Sequence, residues 1–237
     1  MAAPVEIKVL SSTAMKMVFE ELSPRFERET GNRLAVTLGP SLVLEKRVGE
    51  GEAADVAILT GPGARGLAVR GVLMAGSLTD VARSSIGIAV PKGAPKPDLS
   101  SAESFKRAML VAKSIALSKP VGGGASGAHM ANVFAQLGIT EAMAAKSHYG
   151  AGGAAGLAGL VVKRGEAEIG IQQMAELIAV DGIDVVGPLP AEIHMITQFT
   201  AAVPANANHA DAARALIAFL TTPAAKSVIK AKGLDPS

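Results

Sequence analysis

The sequence predicts an α/β fold built as two successive blocks, and three observations carry that prediction. Short apolar runs rich in Val, Ile and Leu alternate with segments of helical spacing, the pattern of βαβ units and a largely parallel sheet. The alternation breaks near residues 80–84, ahead of the turn-rich stretch Pro91–Pro97, and then restarts. After residue 203 only helical pattern remains, so the second block ends before the chain does.

In the first block Val5–Leu10 reads as a strand, and Ser11-Ser12-Thr13 supplies hydroxyl caps for a helix that Gly31 stops after Thr30. Leu34–Leu38 is a second strand, and Ser41 can cap a helix to Gly49. Asp55–Leu59 and a short helix Ala64–Val69 complete the block. The second block opens with strand Ser84–Val90. Helix 101–108, strand Ser114–Leu117, helix Ser126–Leu137, strand Ser147–Tyr149 and helix Ala154–Lys163 follow. Strand Ala167–Ile171, helix Met174–Val180 and strand Ile183–Val186 close it. Gln198–Val203 is a last strand, and helices Ala210–Leu220 and Ala224–Ala231 form the tail. If Gln198–Val203 crosses back, those helices pack on the first block and make it discontinuous.

Composition narrows the function. With 237 residues, 49% of them hydrophobic, the chain can bury a substantial core and is not broadly disordered. No cysteine means no disulfide scaffold, thiol nucleophile or cysteine zinc site. No apolar run reaches the ~18 residues of a membrane-spanning helix. A net charge of +2 and 3% aromatics give neither a phosphate-tracking surface nor base-stacking platforms, so no nucleic-acid partner is expected. Nothing resembling a leader precedes Val5, so the expectation is either a cytoplasmic chain or one whose leader has been removed.

The candidate site residues are hydroxyls and glycines at strand-to-helix junctions. Ser11, Ser12, Ser41 and the run Gly124-Ala125-Ser126-Gly127 each fall where a helix begins, and helix starts offer free N–H groups to anions. Ordinary capping is the alternative at each junction. Three junctions at the carboxyl ends of strands in one α/β chain favour a ligand. Gly122–Gly127 lacks the lysine of a phosphate-binding P-loop, so no nucleotide cofactor is expected. Gly150–Gly156 reads either as a backbone cradle or as a loop entering a close-packed helix. The four histidines have no metal-ligand spacing, and no metal is expected; only His129, one turn into the helix at Ser126, falls near a possible ligand. Gln172 and Gln173 place two amides at a strand's carboxyl end, where they can orient a ligand or fill a helix cap. Arg83, at the break between blocks, can reach a carboxylate bidentately or stay solvated.

Several segments carry a family resemblance. They are Val9–Met15, Gly39-Pro40-Ser41, Gly51–Leu59, Ser84–Asp98, Gly124–His129, Leu137–Ile139, Gly165–Gln173 and Ala215–Ala225. In that order they resemble the molybdate-binding-protein-like group of type II extracytoplasmic solute-binding proteins, across essentially the whole chain. The resemblance implies two lobes, each a mostly parallel sheet flanked by helices, joined by two crossover strands and closing on a ligand like a flytrap. Lobe 1 is then residues 1–82 with 201–237, and lobe 2 residues 83–200. It further implies a periplasmic, monomeric chain that hands a small anion to an ABC permease. The positions matching the family's ligand contacts are Ser11, Ser12, Ser41, Ala125 and Ser126. Gly39-Pro40-Ser41-Leu42 holds fewer serines than molybdate binders carry there, and Gln173 falls where they place a tyrosine. Both departures point to an organic carboxylate or another small anion. The same branch is similar to aconitate isomerase, so an isomerase acting on a small polycarboxylate is the second expectation, with His129, a serine assisted by it, or a carboxylate of one lobe as its proton carrier.

Overall fold

Three parallel strands organise the N-terminal part of the computed structural model, which describes residues 3–150 and 156–237. Strand β1 (Glu6–Ser12) lies between β2 (Arg33–Gly39) and β3 (Val56–Thr60), with Ser12 opposite Gly39 and Ser11 opposite Ile58. All five residues of β3 are buried, as expected of a strand covered on both faces. The chain divides into two units: Met1–Arg83 with Gln198–Ser237, and Ser84–Thr197. Two strands, β4 (Thr79–Pro91) and β9 (Ile196–Ala202), run from one unit into the other. Within the first unit β9 pairs antiparallel with β3, and the C-terminal β10 (Asp235–Pro236) pairs antiparallel with β4 at Arg83.

Helix α1 (Lys16–Thr30) buries Val18, Phe19, Leu22 and Phe26, a spacing that makes one apolar stripe, and ends at Gly31 with φ +77°. Helices α2 (Ser41–Gly49) and α3 (Gly61–Val69) pack with Leu10, Ala57 and Leu59 around a shared core. The tail helices α9 (Ala210–Leu220) and α10 (Pro223–Ala231) belong to this unit too, and the ring of Phe219 meets Phe26 edge-on at 5.3 Å. Among the described residues no single helix is long and apolar enough to cross a membrane. Asp55 precedes β3 rather than starting it. Its buried carboxylate accepts from Lys8 N (2.9 Å) and His209 N (2.8 Å), tying β1 to the start of α9.

In the second unit β5 (Ile115–Leu117) lies between β6 (Ser147–Tyr149) and β7 (Ile169–Gln173), all parallel. Strand β4 runs antiparallel to β7 and to β8 (Ile183–Pro188). Helices α4 (Ala102–Val111), α5 (Ala125–Gln136), α6 (Thr140–Ala144), α7 (Ala158–Lys163) and α8 (Met174–Ile178) complete the unit. Its core gathers Ile86, Ile88, Phe105, Met109, Leu117, Met130, Phe134 and Ile171.

The mixed α/β architecture agrees with the sequence expectation, with local differences. Ser11 and Ser12 are the last residues of β1, and α1 starts only at Lys16, after a 3-10 turn over Thr13–Met15. None of Ser12, Ser41 and Ser126 caps a helix through its hydroxyl: Pro40 and Gly124 hold the cap positions of α2 and α5. Gln172 and Gln173 lie inside β7, and α6 and β10 were not foreseen.

Candidate functional site

In the first unit the carboxyl ends of β1, β2 and β3 bring Ser12, Gly39 and Thr60 to one edge of the sheet. Ser11, Ser12 and Ser41 are all buried there, and Ser41 Oγ donates to Ser12 Oγ at 3.1 Å. Ser11 Oγ donates to Ser12 O (3.4 Å) and Ser41 Oγ to Ser12 Oγ, so among these three the Ser12 hydroxyl keeps its proton for another acceptor. Among the described residues the N–H groups of Ser41, Leu42 and Val43 at the start of α2 have no backbone partner. The remaining Ser12 hydroxyl proton and the free N–H groups at one sheet edge form a donor set that suits an anion.

Sequence reasoning missed a carboxyl at the same edge. Glu45 lies one helical turn after Ser41, and Thr60 Oγ1 donates to its Oε1 at 2.6 Å. The carboxyl rests on Gly63 so closely that a Cβ there would meet its carbon at 2.2 Å. Burial pushes the Glu45 carboxyl above its ordinary range, against the opposing hydrogen bonds from Thr60. The signal available was positional: Ser41 and Glu45 are i and i+4 on one helix.

In the second unit the carboxyl ends of β5, β6 and β7 form the corresponding edge. Helix α5 begins there behind Gly124, with Gly127 N donating to Gly124 O at 3.1 Å. The N–H groups of Ala125 and Ser126 have no partner among the described residues, and the Ser126 side chain is buried. Gly127 is required by close approach, since a Cβ would stand 2.4 Å from Ser118 O and 2.5 Å from Lys119 O. The glycine cradle expected over 150–156 falls, apart from its two ends, outside the described residues.

Gln172 and Gln173 are both buried and engaged within the protein. Gln172 Oε1 accepts from Ala158 N at the start of α7, at 2.6 Å. With the Gln173 oxygen accepting from Thr197 Oγ1 (2.7 Å), its nitrogen donates to Ser84 O (3.1 Å), Ser84 Oγ (3.2 Å) and Ser85 O (3.3 Å). Gln173 thereby ties the end of β7 to β4 and β9. Beside these glutamines lies Glu176, in the first turn of α8 and 9% exposed. Burial pushes its carboxyl up to about 7, against hydrogen bonds from the Gln173 backbone and the Gln172 side chain. Sequence reasoning missed Glu176 as well; an acid soon after two glutamines at a strand end was the available signal.

His129 is half-buried, and its Nε2 lies 2.8 Å from Ile193 O, so Nε2 carries the proton and Nδ1 is the nitrogen able to accept one. Arg83 is exposed and its backbone pairs with Asp235, while among the described residues its guanidinium has no ion-pair partner. No three His, Cys, Asp or Glu side chains among the described residues converge on a metal-sized site.

A family model for the bacterial extracellular solute-binding protein matches residues 7–235. The chain belongs to that family. This solute-binding protein is 34% identical over 242 residues to aconitate isomerase from Pseudomonas sp, covering 99% of this chain and 90% of that one. Its fold is similar to the Azotobacter vinelandii periplasmic molybdate-binding protein, with TM-score 0.78, 20% identity, and 96% and 98% of the two chains covered. The sulfate-binding protein SubI from Mycobacterium tuberculosis gives TM-score 0.77 at 17% identity, covering 98% of this chain and 87% of that one. The solute-binding fold expected from the resemblance is therefore the fold found.

Proposed function

We propose that this solute-binding protein binds a small anion, an organic carboxylate or an oxyanion, as the periplasmic component of an ABC importer. The ligand-facing groups are Ser11, Ser12 and Ser41 in the first unit and Ala125 and Ser126 in the second; Gly127, expected among them, spends its N–H on Gly124 O and instead lets α5 approach Ser118 and Lys119. Arg83, Gln172 and Gln173 act as supporting residues. The buried Ser41–Ser12 hydroxyl pair beside the free N–H groups of α2 carries this reading. Neutral donors of this kind hold an anion without a matching cation. Molybdate- and sulfate-binding proteins of the same fold support the ligand class. The chain works as a monomer in this reading and hands its ligand to a permease.

The test is calorimetric titration with citrate, trans-aconitate, sulfate and molybdate. A hydroxyl bonded to an ionised group contributes about 1.5–3 kcal/mol, so Ser12→Ala and Ser126→Ala should each weaken binding roughly ten- to hundredfold. Unchanged affinity in both variants overturns the assignment.

A second reading rests on Glu176 together with the 34% identical aconitate isomerase. A carboxyl poised near pH 7 is suited to proton transfer. In an allylic isomerisation the base takes a proton from the substrate's methylene carbon. The double bond shifts by one position, and the proton returns to the former vinylic carbon. An ultraviolet assay with trans-aconitate tests this. Turnover that disappears in Glu176→Gln but survives in His129→Ala supports Glu176 as the proton carrier, and the converse result supports His129. Absence of turnover in the parent chain leaves binding as the function.

A further inference from the structure

The second unit contains a cavity of about 650 Å³ that the anion-binding reading does not use. It lies at the start of β7, next to Glu168 and Ile169, whereas Gln172 and Gln173 lie at that strand's other end. Four residue steps along the strand separate the two, about 13 Å. One wall is the turn-rich segment 91–98 and the other is the face of α4 that carries Arg107, Ala108 and Val111.

The cavity is held open by its own construction. Pro91, Pro95 and Pro97 restrict the backbone of the first wall. Gly93, at φ +77°, donates its N–H to Asp184 Oδ2 on β8 at 2.8 Å, and Ala94 N closes a turn on Pro91 O at 2.9 Å. The lining is mostly apolar, and Val111 on its rim leaves 82% of its surface in water. A volume of this size lies within the range of small-molecule sites.

Two acids and two bases line the cavity, and both acids already have partners in this chain. Asp98 Oδ1 accepts from Ser100 N (2.9 Å), and its carboxyl is held below the ordinary range by Ser100 first and by the nearby Arg107 charge as well; Glu168 Oε2 accepts from Lys113 N (2.8 Å). Arg107 is exposed, gives one bond from Nη2 to Ser104 Oγ at 2.9 Å, and its charge acts on Asp98. Lys96 is exposed and, among the described residues, pairs with no acid. We infer that this cavity is a second binding site, for an amphipathic anion whose apolar body fills it and whose carboxylate meets Lys96.

Octanoate is the probe, titrated calorimetrically into the full chain and followed by amide chemical shifts. One saturable site is expected, with shifts centred on residues 90–112 and 168–169. Octylammonium, with the same body and opposite charge, should bind at least about tenfold more weakly. Lys96→Glu should weaken octanoate about five- to tenfold. Ala108→Trp should abolish binding by filling the cavity. Val111→Glu, at an exposed position that does not threaten folding, should weaken it about tenfold. Absence of saturable octanoate binding overturns the inference. Equal affinity for octylammonium, or binding that survives both Ala108→Trp and Val111→Glu, overturns it as well.

Discussion

Replacing Glu176 with glutamine tests the electrostatics of the second unit directly. The carboxyl is buried and holds its proton up to about pH 7, whereas in the unfolded chain it releases it near 4.5. Because the folded state binds the proton more tightly, this group's stabilising contribution is complete below pH 4.5. It is lost as pH rises from 4.5 through 7. The difference in proton affinity corresponds to about 3 kcal/mol. The substituted amide keeps the shape of the neutral acid and cannot ionise. The Glu176→Gln variant should therefore match the parent at pH 4.5, apart from a constant offset, and exceed it by about 3 kcal/mol at pH 8. For a chain of this size that corresponds to roughly 6–12 °C in Tm. Glu45, also raised by burial, titrates in both proteins and cancels from the comparison. Urea or thermal unfolding of the two proteins across pH 4.5–8 measures it. A stability difference that does not change with pH would refute the argument.

Other perturbations have equally definite outcomes. Gly127→Ala must displace backbone at Ser118 and Lys119, and should destabilise by about 1–3 kcal/mol in urea unfolding. Gly66→Ala in α3, where a Cβ meets nothing within 4 Å, should instead stabilise by about 0.5–1 kcal/mol. Asp55→Ala leaves the N–H groups of Lys8 and His209 without acceptors and should cost about 2–5 kcal/mol; Asp55→Asn, which keeps one oxygen, should cost less. Phe26→Ala removes a buried ring packed on Phe219 and should cost about 3–5 kcal/mol.

The α/β architecture was legible because strand and helix periodicities differ and the strands of this chain are short. β3 reads as an unbroken apolar run, and α1 shows its stripe at Val18, Phe19, Leu22 and Phe26. Boundaries were less legible where a residue type serves two roles. Serine favours both caps and strand ends, so Ser11 and Ser12 read as caps although they complete β1. Helix α6, five residues long, is too short to establish a period. At the candidate site the hydroxyls were visible from their junctions, but the buried acids were not. Glu45 and Glu176 differ from solvated glutamates only in which residues fold over them. The tie from Gln173 to Ser84 and Thr197 joins residues 89 and 24 positions apart, and no local pattern records it.

We propose that one small anion is held by serine hydroxyls and free N–H groups at the carboxyl ends of the strands. Native mass spectrometry of the intact chain, titrated with citrate, trans-aconitate, sulfate and molybdate, is the decisive test. A one-to-one, saturable mass increment is expected for at least one of these anions, lost in the Ser12→Ala/Ser126→Ala double variant. A parent chain that retains none of the four, or a double variant that retains its anion as well as the parent does, would contradict it.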